Sequence, residues 1–468
     1  MMGRGKSEQG QFFYDFNLDD VVPPDHLVRK IDAVLDLGWV RKELAPHYSH
    51  TGRPSIDPEL MIRMLIVGYV FAIRSERMIC REVQVNLAYR WYCRLGIEDV
   101  VPNHSAFSRA RHERFRQSDV LRRVFERVVT ICIVAGLVGG EAFSIDASLI
   151  KADVDKHKRV PGDQPADWPT LEQASRAVRE YLAALEAARR DDEGDGGDGG
   201  GSSDGGGGKP PKEVSLTDPQ AAWTARKGVD PFFAYDANYL IDNKLGIIVD
   251  AEGTRANRTD EIAVTETMIA RVERRFGLAP ERLAGDTAYG AARLLKWLWD
   301  RGITPHVPVW DKSKQTGGRF TKADFVFDRD RNVYICPAGA KLTHSGVIDQ
   351  GRILPYRAST TDCSICTLKP QCTTAASRKV SRDIDENVRD QVRALANTEA
   401  LQVSRRERKK VEMRFAHMKR IHKLDRLRLR GLSGAKDEVL LTATAQNLRR
   451  LAKLLCRSPP REATACAA

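Results

Sequence analysis

No stretch of the sequence reaches the roughly 18 consecutive apolar residues that a membrane-spanning helix needs. The best apolar run, Val128 to Gly140, is interrupted by Thr130 and by glycines and reads as a buried helix end or turn. The N-terminal MMGRGKSEQG lacks the apolar segment of a signal peptide, so the chain is expected to stay in the cytosol, near the nucleoid if it binds DNA, with no membrane partner. Nine cysteines in that compartment argue against disulfides. What the sequence has instead is positive charge: 75 lysines and arginines against 63 acids, a formal +12 over 468 residues. That balance favours a polyanionic partner, nucleic acid above all. The length exceeds one ordinary core, so two or more domains are expected.

The clearest break is DDEGDGGDGGGSSDGGGGKPPK, residues 191–212, too poor in apolar surface to offset chain entropy and therefore a flexible linker. Just before it, Leu171, Ala174, Val178, Leu182 and Leu185 recur at helical spacing after Thr170, a suitable N-cap. Upstream, residues 57–73 and 75–96 read as helices with Pro58 in a first turn and Ser75 as a cap. A third helix from Ser105 carries Arg109, Arg111, Arg114 and Arg116. Three short helices ending in a basic one fit a helix-turn-helix unit that inserts its last helix into the major groove; a helical bundle with a solvated basic face fits equally.

From Glu141 the pattern turns to strands: EAFSIDASLI, FFAYDANYLI (232–241) and LGIIVDAEGT (245–254), the last two forming a hairpin over the pair Asp242-Asn243. A helix over 259–276, capped by Thr259 or Asp260, precedes a short strand ERLAGD, a helix with Leu294, Leu295, Leu298 and Trp299, and a strand ITPHVPV. Three antiparallel strands followed by alternating helices and strands make an α/β pattern, interrupted from Asp311 to about Asp390 before the last long helices.

Three acids stand out against this frame. Asp146 lies mid-strand in FSIDAS, where a carboxylate needs a partner, and Asp286 ends a strand in LAGDTAYG, at the carboxyl edge where open sheets bind ligands. Asp146 could equally accept hydrogen bonds from a neighbouring turn, and Asp286 could cap a helix starting near Ala288. The third comes from RERKKVEMRFAHMKR, residues 406–420, where two glutamates sit among basic residues. On a helix, Val411, Phe415 and Met418 form the apolar stripe; Glu412 borders it, about 60° from Phe415, and Glu407 points roughly 140° away from Glu412. Glu407 is then a solvated ion-pair partner. Glu412 is a carboxylate brought over a sheet edge, flanked on its own side by Arg408 and Lys419. Three carboxylates without an obvious nucleophilic side chain suit two divalent ions, magnesium or manganese, acting on a phosphodiester.

At these residues the chain resembles the DDE transposases of bacterial insertion sequences, and within them the branch named after insertion sequence eleven-eighty-two, in the broader insertion sequence four and five group. The resemblance rests on GRPSIDPELMIRMLIVGYVFAIRSER, VPNHSAFSRARHERF, FSIDASLIKA, LAGDTAYG and RKKVEMRFAHMK, and it spans nearly the whole chain. It implies an RNase H-like catalytic domain of mixed sheet and helices, with Asp146 on the first strand, Asp286 after the fourth and Glu412 on a late helix. The family's last signature runs Tyr, two residues, Arg, three residues, Glu, six residues, Lys; Arg408, Glu412 and Lys419 match it, and Arg405 replaces the tyrosine. Asp260 occupies the place of a further family aspartate, where helix capping also accounts for it.

Cys336, Cys363, Cys366 and Cys372 offer the four soft ligands of a structural zinc, with one short CxxC and otherwise irregular spacing. Four unlinked packing thiols are the other reading. Related transposases carry an insertion domain at this place, and some use an aromatic there on a flipped base; Trp310 would more simply pack in a core. The expected organisation is a helical DNA-binding region (1–135), a catalytic core in two parts (136–310 and 391–456), a cysteine-bearing insertion (311–390) and a disordered tail (457–468). The expected function is binding of terminal inverted repeats, strand cleavage and strand transfer into target DNA, with DNA contacts from Arg109, Arg111, Arg114, Arg116, Arg408 and Lys419 and at least a homodimer in the synaptic complex. An RNase H-like nuclease or resolvase without strand transfer, and a catalytically silent DNA-binding regulator, are the rival readings.

Overall fold

The computed structural model describes residues 16–49, 51, 55–194, 211–226, 228–309, 318–344, 346 and 351–455. Most of the glycine-rich linker, Trp310 and the C-terminal tail lie outside the described residues. The chain divides into two compact units, one comprising Met1–Gly139, Ala147–Val264 and Glu412–Ala468, the other Gly140–Asp146 and Thr265–Val411. Among the described residues no helix is long and apolar enough to cross a membrane.

In the first unit, DPELMIRMLIVGYV forms the helix Pro58–Val70, whose N-terminal amides at Glu59 (2.7 Å) and Leu60 (3.2 Å) donate to the Asp57 carboxylate. The single helix expected over 75–96 is two, Glu76–Val85 and Leu87–Tyr92. Asn86 breaks it by accepting the Tyr89 amide at 3.2 Å and capping the second piece, while Ser75 makes no cap bond. The basic helix is His104–Ala110, capped by Asn103 rather than Ser105, and it widens into a π-helical turn, Arg111–Phe115. The helix expected from Thr170 starts at Arg176 instead; the Thr170 carbonyl accepts the Gln173 and Ala174 amides in a turn that precedes it.

Strand β1 (Ala142–Lys151) runs from the second unit into the first. Strands β2 (Arg159–Pro161) and β3 (Glu213–Ser215) pair antiparallel and tie together the two ends of the linker region, which sequence patterning did not reveal. Strands β4 (Ala222–Arg226) and β6 (Ile248–Arg255) both pair antiparallel with the long β5 (Val229–Asp242), and the Ala152 amide donates to the Phe233 carbonyl where β1 leaves β5. The β5–β6 hairpin is real, but its turn is longer than Asp242-Asn243. Asp242 closes it by accepting the Lys244 and Gly246 amides, and Gly246 takes φ +69°, a left-handed conformation costly for residues with a Cβ.

The last helix, Gly431–Leu455, is buried on nearly every side and packs on β6 and on the helices Pro58–Val70 and Val120–Val134. The N-terminal helices therefore share a core with these strands rather than standing apart. At the strand edge the Asn447 side chain donates to the Ile248 carbonyl (2.7 Å) and accepts its amide (3.0 Å). Glu438, wholly buried on this helix, pairs with Arg74 and accepts the Arg428 and Leu429 amides at 2.5 and 2.7 Å. Removing one partner of a buried ion pair strands the other, so Arg74→Met is expected to destabilise this unit by about 3–5 kcal/mol. Urea unfolding checks it, and an unchanged midpoint would show that Glu438 is satisfied by the two amides alone.

In the second unit, β1 runs parallel to β7 (Arg282–Ala284), and β7 parallel to β8 (Thr304–His306), with Ser144, Ala284 and His306 aligned. The segment that patterning left as an interruption is a five-stranded antiparallel sheet, β9 (Val326–Asp328), β10 (Val333–Ile335), β11 (Lys341–Thr343), β12 (Ile353–Ala358) and β13 (Lys379–Asp383), in the order β13-β12-β11-β10-β9. Phe325, Tyr334, Leu342, Tyr356, Ala358 and Val380 form its core. Behind it, Glu386 opens the helix Glu386–Ala394 with a buried carboxylate held by Lys322 (3.0 Å), Arg393 (2.7 Å) and Arg389 (3.2 Å). Burial alone would push this carboxyl up, but the three cations outweigh it and hold it at about 2. The stabilisation is complete above the ordinary carboxylate range and is lost as pH falls towards 2. Glu386→Gln should therefore lower the melting temperature at pH 7 and flatten its fall in acid; parallel melting curves for both proteins between pH 7 and pH 3 would exclude this.

Candidate active site

Asp146 and Asp286 each lie two residues beyond a paired position, Ser144 on β1 and Ala284 on β7. The backbone at Asp286 is still extended (φ −86°, ψ −175°), so Asp286, just past the end of β7, lies beside Asp146 in the middle of β1, on strands about 4.8 Å apart. Equal offsets from aligned residues put their side chains on the same face. Both are partly buried. Asp286 also caps the turn Thr287–Tyr289 by accepting the Ala288 amide at 2.7 Å, so the capping alternative is true of it without exhausting its oxygens.

The helix Glu399–Arg420 reaches these strands through three successive contacts in the second unit. Ser404 hydrogen-bonds His306 of β8 (2.6 Å), Glu407 pairs with Arg282 of β7 (3.6 Å), and Arg408 stands 3.6 Å from the Asp146 carboxylate. Burial, with the nearby Arg282, lowers the pKa of His306. Glu407 is thus an ion-pair partner as expected, though a partly buried one. The Nε of Arg408 is buried without a hydrogen-bond partner. Val411 and Met418 are fully buried and Phe415 nearly so, stacked on Tyr239 at 5.0 Å, which is the apolar stripe read from the sequence. Glu412 follows Arg408 by one turn on the same side of the helix and is exposed. Lys419 is partly buried and Arg405 exposed.

The remaining candidates divide. Asp260 accepts the Asn257 side-chain amide at 3.0 Å inside the cap of the helix Arg258–Phe276, which Asn257 rather than Thr259 or Asp260 opens. Of the four arginines expected to form a basic surface, only Arg109 is exposed. Arg111 is buried against Tyr69 and Glu76; Arg116 pairs with Glu180 and Asp437; Arg114 leans on Tyr48 and Ser55. The expectation of a four-arginine face is therefore corrected: a π-helical turn replaces the regular helix and turns Arg111 inwards. Arg109 and Arg114 instead line a surface cavity of about 980 Å³ with Arg77 and Arg81.

The four cysteines are free thiols and partly buried. Cys336 sits in a turn closed by the Gly339 amide, Cys363 and Cys372 lie on two short helices, and these three pack against the core of the five-stranded sheet. Burial pushes the Cys372 thiol up; Arg378 opposes this, and Cys363, Cys336 and Cys366 add to the rise, which places these three within electrostatic reach of Cys372. Among the described residues no group of three or more His, Cys, Asp or Glu side chains is set at metal-binding geometry. The donor types are nevertheless those such ions take: hard carboxylate oxygens at Asp146 and Asp286, two residues past aligned positions of parallel strands, and four soft thiols, three of them on one core.

The sequence patterning gave no sign of Arg282, Ser404 and His306, which brace the late helix, because each is an isolated polar residue whose partner is more than ninety positions away. No curated protein and no solved structure matches the chain. Residues 16–113 match a family described as "Transposase domain (DUF772)", and residues 335–452 match one described as "Transposase DDE domain". The second match contains the four cysteines, Arg408, Glu412 and Lys419; Asp146 and Asp286 lie outside both. Both matches are to transposase domains and together span less than half of the chain, which is similar to transposases over these two stretches.

Proposed function

We propose that the protein binds the terminal inverted repeats of its own element, cleaves the strands at those ends and joins them to target DNA. The observation that carries the reading is the placement of Asp146, within β1 just past the end of its pairing with β7, beside Asp286, just past the carboxyl end of β7, with the Arg408 guanidinium 3.6 Å from Asp146. The order of antiparallel β5 and β6 followed by parallel β7 and β8 supports an RNase H-like catalytic domain, in which Glu412 completes the acidic set. Asp146, Asp286 and Glu412 would hold two magnesium or manganese ions, which when bound supply charge stabilisation at the phosphodiester and a more acidic attacking hydroxyl or water. Asp286 keeps its carboxylate oriented through the Ala288 amide, and Arg408 orients Asp146. Arg408 and Lys419 flank Glu412 on its helix side and would contact backbone phosphates. Joining two ends to one target requires at least two copies of the chain in the DNA complex.

Cys336, Cys363, Cys366 and Cys372 would hold one zinc ion that fixes the short helices to the sheet beneath them. The ion pair on Asp146 favours one second reading, a silent DNA-binding copy, because a guanidinium there competes with a cation. Incubating the protein with duplexes carrying its flanking genomic ends in magnesium, and sequencing the products, separates the readings. Joined products support a transposase, cleavage without joining supports a nuclease or resolvase, and intact duplex supports the silent copy.

A further inference from the structure

A cavity of about 400 Å³ in the first unit lies between the helix Glu399–Arg420, the last helix and an N-terminal segment, on a different side of the helix from Glu412. Arg414, two residues after Glu412, is turned about 160° from it. Five cationic side chains line the cavity, Lys30, Arg414, Arg449, Arg450 and Lys453, against one acid, Asp25, which is exposed. Among the described residues, none of these five forms an ion pair with a carboxylate. The three arginines donate to neutral carbonyls: Arg450 to Leu245 at 3.1 Å, Arg449 to Val70 at 2.9 Å, and Arg414 to Leu245 at 3.5 Å.

Arg414 is more than nine-tenths buried. Arg449, Arg450 and Lys453 line the same cavity and add like charge around it. A desolvated cation without a counter-ion is costly to keep, and several around one cavity repel each other, so the arrangement gains when an anion enters. Guanidinium forks and a lysine at a recess of this size match the tetrahedral oxygens of phosphate.

We propose that the cavity framed by Lys30, Arg414, Arg449, Arg450 and Lys453 binds a phosphate group, with the phosphodiester backbone of DNA as its source. The site anchors the duplex at a place separate from the carboxylates. It rests on the DNA-binding reading above only for the source of the phosphate.

The test measures binding of a short labelled duplex by fluorescence anisotropy across a salt series, with the full chain, Lys453→Gln, and Lys453→Gln combined with Arg450→Gln. Each lost phosphate contact removes about 0.9 from the slope of log affinity against log salt. The double variant is expected to bind roughly tenfold more weakly with a slope lower by about two, and Arg450→Lys, which keeps the charge, to recover the slope. Lys453 is exposed, so its single variant, with a slope change of about one, carries the test if the double variant unfolds. Unchanged affinity and slope in variants that melt like the parent overturn the proposal. Inorganic phosphate that raises the parent's melting temperature but not the variants', with the DNA slope unchanged, overturns the DNA source and assigns the cavity to free phosphate. Loss of cleavage on changing the carboxylates leaves these binding constants untouched, so the two proposals fail separately.

Discussion

Asp146→Asn and Asp286→Asn are each expected to reduce magnesium-dependent strand cleavage by on the order of 10³-fold, about 4 kcal/mol of transition-state stabilisation, while leaving duplex binding within twofold. Asparagine keeps the shape of the side chain and one carbonyl oxygen, so at Asp286 it can still accept the Ala288 amide that closes the turn. What it removes is the negative charge two cations would share. The substitution therefore separates the structural role of Asp286, which the structure shows, from the catalytic one, which is proposed. At Asp146 the neutral amide also releases Arg408 from its ion pair, so any loss of stability there should be small and should appear in melting, not in cleavage. Glu412→Gln is expected to match the two aspartate variants, whereas Glu407→Gln, which removes only the pair with Arg282, should retain cleavage within tenfold. Cleavage that survives in all three carboxylate variants would remove the enzyme reading and leave a DNA-binding protein.

How far these expectations could be read from the sequence depended on whether the signal was local. The apolar stripe Val411, Phe415 and Met418 is a three-residue periodic pattern on one helix, and the structure buries all three. The strands around Asp146 and Asp286 were legible for the same reason, Asp146 lying inside a short apolar run and Asp286 just after one. Their adjacency was not, because it arises from a parallel pairing between residues about 140 positions apart, for which a strand carries no mark of its partner. The sheet β9–β13 escaped notice because several of its strands are only three residues long, too short for a period of two to stand out. The basic face failed differently. Counting arginines along a regular helix ignores the π-helical turn at Arg111–Phe115, and partly buried acids elsewhere in the unit had already claimed some of those side chains. Charge at that spacing is as often spent inside the fold as offered to a ligand.

The four cysteines allow the second large effect to be stated, from the chemistry of their thiols and the place of three of them on one core. Purified protein is expected to carry about one zinc per chain, and Cys372→Ser to lose it. Cys336 lies in a turn after β10, Cys363 and Cys372 on helices of five and four residues, and such short helices cannot hold themselves in water. Something must fix them to the sheet. Packing on Phe325, Tyr334 and Tyr356 supplies part of that, through three of the four thiols. A metal bound by all four would supply more, and even about 3 kcal/mol of it would lower the melting temperature by roughly 6–12 °C when removed. Chelation should reproduce the loss in the parent and change nothing in the serine variant, while Cys80→Ser, away from the cluster, should keep both metal and melting temperature. Parent protein free of zinc, with four thiols that titrate fully under native conditions, would mean that the cysteines only pack.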